Sequence, residues 1–165
     1  MVEGNRIPEA LLARLEDGRV RPVSSVELFR GQCSLVLGVP GAFTPVCNGR
    51  HIPDFIENAP ALRKAGFTQL LCIAPNDPYV VDVWARTLDP TGQIQFISDG
   101  NLDFTRALGL LNKERYLFLG LRSHRYLMSV RGCIITHLRV EPHSLSYSCT
   151  HPADALDRTP EKASA

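Results

Sequence analysis

The sequence carries no excess of either charge, since 18 Lys and Arg stand against 17 Asp and Glu for a net charge of +1. Nucleic acids and anionic membrane surfaces are bound mainly through positive charge, so neither is an expected partner. Cysteine is scarce as well, with 5 residues in 165, which excludes a disulfide-stapled scaffold. Because the cysteine count is odd, at least one thiol stays free or pairs outside the chain.

Long apolar runs are also absent. No stretch approaches the ~18 apolar residues of a membrane span, and the first thirty residues carry acidic side chains instead of the apolar core of a signal peptide. We therefore expect a cytoplasmic protein, in which cysteines are more often buried, catalytic or metal-binding than bridged. The composition is ordinary for a globular protein, at 44% hydrophobic and 21% charged. Residues 1–165 predict a single domain, with a loose polar tail over 157–165.

Short apolar runs alternate with helical patterns through the middle of the chain. Nearly continuous apolar runs over 34–39 and 68–74 predict parallel strands that are covered on both faces. Between them, apolar residues at helical spacing predict a crossover helix over 46–64. Pro53 lies inside that helix and predicts a kink, because proline removes a backbone hydrogen bond and clashes with the preceding turn.

The alternation continues toward the C-terminus. The remaining predicted elements are a helix capped by Asp77 with Pro78 at its first position, a strand over 93–98, a short helix over 102–108, a hairpin of strands 125–130 and 133–140 with its turn at 131–132, and a short helix over 152–156. Along the second hairpin strand, Ile134, Thr136, Leu138 and Val140 share one face. Parallel βαβ units followed by an antiparallel C-terminal hairpin predict a three-layer α/β fold of the thioredoxin-like type, with a mixed sheet.

Cys47 stands where the first buried strand passes into the crossover helix. Active sites of open parallel sheets lie at this carboxyl end of a strand. Unpaired N–H groups and the helix dipole favour a thiolate in the first helical turn, where cysteine pKa values fall to about 3.5–7.5. Thr44 can place a hydroxyl beside the sulfur, and Pro40 and Pro45 stiffen the turn. Position alone leaves open both a reactive thiol and a small buried hydrophobe.

The residues around Cys47 resemble the peroxidatic motif of the peroxiredoxins. The pattern Pro-x-x-x-Thr-x-x-Cys occupies 40–47, and the longer string over 38–45, followed by His51-Ile52-Pro53, resembles the type II, peroxiredoxin-five-like subgroup. Further support comes from Asn76-Asp77-Pro78 with Trp84, from Phe104-Thr105-x-Ala107-Leu108-Gly109-Leu110, and from Arg122-Ser123-x-Arg125-Tyr126.

This resemblance implies a thiol peroxidase that reduces hydrogen peroxide and alkyl hydroperoxides through a sulfenic acid on Cys47. Arg125 is then the catalytic arginine. We expect Thr44, Arg125 and the backbone N–H groups of Val46 and Cys47 to hold the peroxide oxygens in line with the sulfur. Pro40 is expected to shield the pocket from water.

Two further side chains are expected near this pocket. His51 follows Cys47 by four residues, so a helix puts both on the same side. We expect His51 to form a structural hydrogen bond or an active-site wall, because groups in successive helical turns rarely face one another as nucleophile and base. Phe118 is expected either in an apolar wall that admits alkyl hydroperoxides or in the core.

Cys149 lies in a polar stretch, at the place where the resemblance implies a resolving cysteine. An intramolecular disulfide between Cys47 and Cys149 is the favoured route of recycling. The alternative is direct attack on the sulfenic acid by glutathione, glutaredoxin or thioredoxin. The other three cysteines, Cys33, Cys72 and Cys133, are expected to serve in packing.

No cofactor or metal is expected, because the sequence has no C-x-x-C or H-x-x-x-H element. The missing C-x-x-C also argues against a thioredoxin-type disulfide reductase. The family resemblance implies a homodimer packed near the active sites, bordered by Pro45 and the 76–79 loop. Two alternatives to a peroxidase stay open: a redox sensor that changes partners when Cys47 is oxidised, without turnover, and, more distantly, a cysteine-dependent hydrolase.

Overall fold

The computed structural model describes residues 3–158, within which nine strands and four α-helices are found. The strands are β1 (Leu11–Glu16), β2 (Arg19–Ser24), β3 (Cys33–Gly38), β4 (Gln69–Ala74), β5 (Gln95–Ser98), β6 (Leu111–Glu114), β7 (Gly120–Ser123), β8 (Tyr126–Arg131) and β9 (Ile134–Val140). The α-helices are α1 (Ser25–Phe29), α2 (Ile52–Lys64), α3 (Pro78–Leu88) and α4 (Asp103–Leu108). A π-helical turn, Cys47–His51, precedes α2, and a 3-10 helix, Pro152–Arg158, follows β9.

Seven of the strands form one mixed sheet in the order β2-β1-β5-β4-β3-β8-β9. The central strands β3, β4 and β5 are parallel, and β8 and β9 continue the sheet from β3 as an antiparallel hairpin. Strands β6 and β7 pair separately as a second, antiparallel hairpin. This topology confirms the predicted thioredoxin-like α/β fold with its mixed sheet.

Apolar side chains of the central strands pack on both faces of the sheet. In β4, Leu70 and Cys72 point into one core, while Leu71 and Ile73 point into the other. Helices α2 and α3 cover the first core, to which Trp84 contributes, and α1 and α4 cover the second. Because both faces are covered, successive residues along β3 and β4 are apolar, which is the pattern that identified these strands in the sequence.

The predicted helix over 46–64 is divided into two parts. Helical conformation begins at Pro45, widens into the π-helical turn at Cys47, and becomes α-helical at Ile52. The irregularity falls where the sequence predicts a kink, but its form is a π-helical turn, and Pro53 follows that turn as the second residue of α2. Pro60 lies further inside α2 and is an interior proline that the sequence prediction overlooks.

The β8–β9 hairpin departs from the prediction in two details. Arg131 pairs with Ile134, so the turn comprises residues 132–133 and lies one residue later than predicted. Thr136 is an extra residue in β9, because the pairing shifts from Ile135 to the residue after Thr136. The bulge reverses which residues of β9 face the core. Ile135 is buried, whereas the predicted face of this strand contains Ile134.

The structure also contains two hairpins that the sequence prediction misses, β1–β2 and β6–β7. Most positions of β2 are exposed and β6 has no buried residue, so neither strand has the alternation of apolar and polar side chains that identifies a half-buried strand. The predicted helix over 152–156 is the 3-10 helix, which includes Asp157 and Arg158, so these residues do not belong to a loose tail. Residues 159–165 of that predicted tail lie outside the described residues. Within 3–158, no helix is long and apolar enough to cross a membrane.

Candidate active site

The site is built at the carboxyl end of β3. Gly38 ends this strand against the ring of Tyr126, and a Cβ on Gly38 would lie 1.9 Å from Tyr126 Cε1, so only glycine fits there. Beyond the strand, the backbone N–H of Ala42 donates to Asn76 Oδ1 at 2.8 Å, which fixes the following loop to the end of β4. The loop then delivers Cys47 to the first turn of the helix, as predicted.

Cys47 lies in the π-helical turn and is 0% exposed. Single π-turns are frequent at functional sites, because the wider turn moves side chains off the regular helical positions. The same turn contains His51, which is also fully buried. The sequence therefore correctly places the cysteine at a helix start, while the wide turn that brings the imidazole beside it has no counterpart in the apolar pattern.

Arg125 directly precedes β8 and is 1% exposed. Its Nη1 donates to the sulfur of Cys47 at 3.1 Å, and its Nε and Nη2 donate to the carbonyl oxygens of Ser146 (3.2 Å) and Ser144 (2.8 Å). A guanidinium stays charged in proteins. Of its three acceptors here, two are neutral carbonyl oxygens and the third is the sulfur of Cys47. The arginine therefore presents positive charge to Cys47 and to any oxygen bound beside it.

The imidazole of His51 lies between Arg125 and the C-terminal segment. Its Nδ1 is 2.9 Å from Arg125 Nη1 and its Nε2 is 3.0 Å from the carbonyl oxygen of Thr150. Burial, followed by the charge of Arg125, lowers the pKa of His51 to about 3. A neutral ring with its hydrogen on Nε2 satisfies both contacts, because a guanidinium only donates and a carbonyl only accepts.

A cavity of about 250 Å³ lies at the loop that precedes Cys47, and its lining residues are Pro40, Thr44, Pro45, Val46, Leu117, Leu119, Ser144 and Leu145. Three of the predicted site residues, Pro40, Thr44 and Val46, are thus brought together around one opening. The hydroxyl of Thr44 donates to the Gly41 carbonyl at 2.8 Å, which directs its hydrogen away and leaves lone pairs on its oxygen.

Phe118 does not belong to this wall. It is 96% exposed at the turn between β6 and β7, where its backbone has a positive φ of 55°, so it lies neither in the cavity nor in the core. Its neighbours Leu117 and Leu119 line the cavity instead. The side chains that flank a turn residue point in other directions than the turn residue itself. Because the sequence pattern does not predict the β6–β7 hairpin, it cannot identify which side chains of this turn face the cavity.

Cys149 lies in a different cavity, of about 400 Å³, whose lining includes His137 and Arg139 but not Cys47. Its thiol is 3.5 Å from the carbonyl oxygen of Val140. Burial and then the nearby carboxylate of Glu141 raise the pKa of the Cys149 thiol. All five cysteines are free thiols. The structure thus brings Cys47 and Arg125 together, places Thr44 on the wall of the first cavity, and leaves Cys149 apart.

The sequence prediction overlooks Glu141, which follows β9 and is 1% exposed. Its two oxygens accept five hydrogen bonds, from the backbone and hydroxyl of Ser148, the backbone of Cys149, and the backbone and hydroxyl of Thr150. Although burial by itself raises a carboxyl pKa, these donors lower the pKa of Glu141 to about 2. The sequence around Glu141 does not predict these hydrogen bonds, because their donors lie in residues 148–150, which fold back onto the carboxylate.

The remaining cysteines lie away from the cavity opening. Cys72 is fully buried in the same core as Cys47, and burial, with the nearby Cys47, raises its thiol pKa well above the usual value. Cys33 and Cys133 are partly buried, at the start of β3 and in the β8–β9 turn. Among residues 3–158, no three His, Cys, Asp or Glu side chains are grouped as metal ligands would be.

The thioredoxin-like sheet places a buried cysteine in contact with a buried arginine, and positive charge of this kind is found around reactive cysteines. The model of the family described as Redoxin matches residues 3–152 of this chain. Peroxiredoxin-2B of Arabidopsis thaliana is 32% identical over 139 residues, which cover 84% of this chain and 86% of that protein. The chain therefore belongs to the peroxiredoxins, within the Redoxin family.

Other relatives agree with this assignment. The hybrid peroxiredoxin hyPrx5 of Haemophilus influenzae is 33% identical over 142 residues, covering 86% of this chain and 58% of its own length. The crystal structure of reduced Prx3 in complex with H2O2 from Vibrio vulnificus has a TM-score of 0.89 at 31% identity, covering 96% of this chain and 98% of that one. These matches confirm the predicted likeness to the type II, peroxiredoxin-five-like subgroup. The chain spans about three fifths of the length of the first curated relatives, at 58%, 64% and 61%.

Proposed function

We propose that this protein is a thiol peroxidase in which Cys47 is the nucleophile. The observation that carries the proposal is the contact between Arg125 Nη1 and the Cys47 sulfur, 3.1 Å, together with a cavity lined by Thr44 and Val46 of the loop that leads to Cys47. A buried guanidinium at a sulfur stabilises negative charge there and on an oxygen that meets the sulfur in line. Membership of the peroxiredoxins supports the same chemistry.

In the proposed reaction, the sulfur of Cys47 attacks one peroxide oxygen and the O–O bond breaks. The products are a sulfenic acid on Cys47 and water or an alcohol, which forms when the departing oxygen takes up a proton. Thr44 and Arg125 hold the peroxide oxygens, together with the backbone N–H groups of Val46 and Cys47. Pro40, on the cavity wall, limits access of water to the sulfur.

The cavity wall supports organic hydroperoxides as substrates beside hydrogen peroxide. Most of its side chains are apolar, with Leu117, Leu119 and Leu145 opposite Pro40 and Pro45. Such a wall contacts an alkyl or aryl substituent favourably, by about 25 cal/mol for each Å² of apolar surface removed from water. Hydrogen peroxide has no substituent to place there.

For recycling, we propose that Cys149 attacks the sulfenic acid and forms a disulfide with Cys47, releasing water. Because Cys47 is buried in the core and Cys149 lines a cavity that does not include it, the segment around Cys149 has to leave its hydrogen bonds to Glu141 before this bond can form. The alternative is reduction of the sulfenic acid by glutathione, glutaredoxin or thioredoxin. Counting thiols after one equivalent of peroxide separates these routes, since the internal disulfide consumes two thiols and the external route consumes one.

We also propose a homodimer that packs near the site. Phe43, Tyr79 and Val83 are large, exposed apolar side chains on the cysteine loop and on α3. Apolar side chains grouped on a surface support an interface there. The solution mass measured by light scattering tests whether the protein is a dimer.

A cytoplasmic location and one domain over the whole chain are further parts of the proposal. The composition supports the location, and the family match over residues 3–152 supports the single domain.

Peroxide consumption with a thiol reductant tests the function. The parent is expected to turn over many equivalents, and Cys47→Ser is expected to consume none. Cys133→Ser is the matched control, because it removes a thiol in the β8–β9 turn. Peroxide consumption by Cys47→Ser at the parent rate would overturn the proposal. If the parent stops after about one equivalent with every reductant, the protein is a redox sensor and not a peroxidase.

A further inference from the structure

A continuous series of hydrogen bonds leads from Glu141 to the sulfur of Cys47. The carboxylate accepts the N–H groups of residues 148–150 at 2.8–3.0 Å, which fixes the backbone of that turn. The carbonyl oxygen of Thr150 then accepts from His51 Nε2 at 3.0 Å. Glu141, Thr150 and His51 are buried, whereas Ser148 is exposed and Cys149 half-buried, so bonds among the three buried residues are not replaced by water without rearrangement.

The series continues from the imidazole to the sulfur. Arg125 Nη1 is 2.9 Å from His51 Nδ1, and it also donates to Cys47 Sγ at 3.1 Å. Because Nδ1 accepts from the guanidinium, the ring hydrogen stands on Nε2 and points at the Thr150 carbonyl. The ring is thereby held at both ends, and it is the acceptor for Nη1, while the carbonyl oxygens of Ser146 and Ser144 hold Nε and Nη2 of the same guanidinium.

We propose that Glu141 is a positioning residue for Arg125 and acts through the imidazole of His51. The carboxylate does not touch the sulfur or the cavity; it fixes the 148–150 turn, and the turn fixes the ring. This inference deepens the peroxidase function proposed above and rests on it for the kinetic test. A merely structural role for Glu141 would change stability but would leave the ring and the sulfur as they are.

Four ionisable groups face the imidazole from the elements packed around it: Arg125 before β8, Glu141 after β9, and Tyr147 and His151 in the segment that follows. Tyr147 stacks against the ring, with 4.8 Å between the ring centroids. Arg125 and His151 disfavour a second proton on the imidazole, and Glu141 favours one. Burial and the charge of Arg125 outweigh the attraction of Glu141 and keep the ring neutral in the physiological pH range.

A double-mutant cycle tests the coupling. Glu141→Gln keeps the shape of the side chain and removes its charge, and we expect the rate constant for oxidation of Cys47 by peroxide to fall about tenfold. His51→Asn keeps an acceptor near the Nδ1 position but cannot reach the Thr150 carbonyl. In that background, Glu141→Gln is expected to lower the rate by less than about twofold, because the connection is already broken. An equal loss in both backgrounds would overturn the proposal.

A second measurement needs no peroxide. In the 15N-labelled parent, the His51 ring is expected to show the neutral Nε2–H form from pH 8 down to pH 5. In Glu141→Gln the ring is expected to lose this fixed form and to show a mixture of the two neutral tautomers, while staying neutral because burial and Arg125 still act on it. An unchanged His51 spectrum would overturn the proposal. If the parent consumes no peroxide, the peroxidase function fails, while this spectrum still decides the positioning role.

Two further variants complete the design. Glu57→Gln makes the same chemical change at an exposed position of α2 and is expected to leave the rate and the His51 spectrum at parent values. If Glu141→Gln does not fold, as judged by thermal unfolding, Glu141→Asp replaces it in both backgrounds. Its shorter carboxylate keeps the charge but lies farther from the 148–150 turn, so the same background-dependent loss of rate is expected.

Discussion

Cys47 and Cys149 belong to one chain but have opposite electrostatic surroundings. Cys47 is fully buried with a guanidinium nitrogen 3.1 Å from its sulfur. Cys149 is partly buried beside the carboxylate of Glu141, and burial and this negative charge raise the pKa of its thiol. Positive charge stabilises the anion of a nucleophile, and negative charge suppresses one. The difference supports the proposal that Cys47 is the thiol that reacts first with peroxide.

The two regions are nevertheless connected through one segment. Residues 144–150 supply the carbonyl oxygens that hold Arg125 and His51, and the same segment carries Cys149. Any movement that brings Cys149 to Cys47 therefore also loosens the acceptors around the arginine. The chemistry of the first thiol and the mobility of the second cannot be altered independently, and the following predictions test this comparison.

The largest effect is expected from Arg125→Lys. An ammonium group keeps the charge but lacks the planar fork that reaches the sulfur and two carbonyl oxygens at once. The rate constant for oxidation of Cys47 by peroxide is expected to fall by about 100-fold or more, measured by stopped-flow under single-turnover conditions. Arg86→Lys, at an exposed ion pair with Asp82, is the control and should retain the parent rate. A parent-like rate in Arg125→Lys would remove the arginine from the mechanism.

The second prediction concerns the pH dependence of stability on the Glu141 side. The folded-state pKa of Glu141 is about 2, below its ordinary value of 4.5, so its stabilisation is full above pH 4.5 and is lost as the pH falls toward 2. Glu141→Gln is expected to lower the unfolding free energy at pH 7 by about 1–3 kcal/mol. Urea unfolding at several pH values should show the difference between parent and variant shrinking below pH 4.5. A constant difference across that range would contradict the prediction.

A smaller effect is expected at the cavity wall. Leu119→Ala removes apolar contact surface, so kcat/KM for cumene hydroperoxide is expected to fall about three- to tenfold, with little change for hydrogen peroxide. Phe118→Ala is the matched comparison one residue away. Because Phe118 is exposed to solvent, both substrates should be reduced within about twofold of the parent rate. The reverse ranking of the two variants would show that the wall is assigned to the wrong side chain.

The smallest effect concerns Cys149 itself. Removing the neighbouring charge in Glu141→Gln takes away one cause of its raised thiol pKa. Alkylation of Cys149 by iodoacetamide at pH 8, followed by mass spectrometry in a Cys47→Ser background, should become about two- to threefold faster. Cys33 in the same samples is an internal reference and should react at an unchanged rate. Slower alkylation of Cys149 would mean that the carboxylate does not suppress its thiolate.

Much of the fold can be predicted from local pattern. The continuous apolar runs of β3 and β4 and the cap at Asp77 identify elements whose signals lie within a few residues of each other. The β1–β2 and β6–β7 hairpins escape prediction because their burial depends on distant parts of the chain. The misassignment of Phe118 follows directly from the missed β6–β7 hairpin.

The sequence by itself determined that a cysteine stands at the start of a helix after a buried strand, and that the motif around it is that of a peroxiredoxin. Only the tertiary structure decided which groups meet that cysteine. Arg125 and Cys47 are 78 residues apart, and His51 and Thr150 are 99 apart. Contacts over such separations arise from strand order and from chain reversal after β9. No local propensity encodes them, so Glu141 becomes visible as part of the site only once the chain has folded.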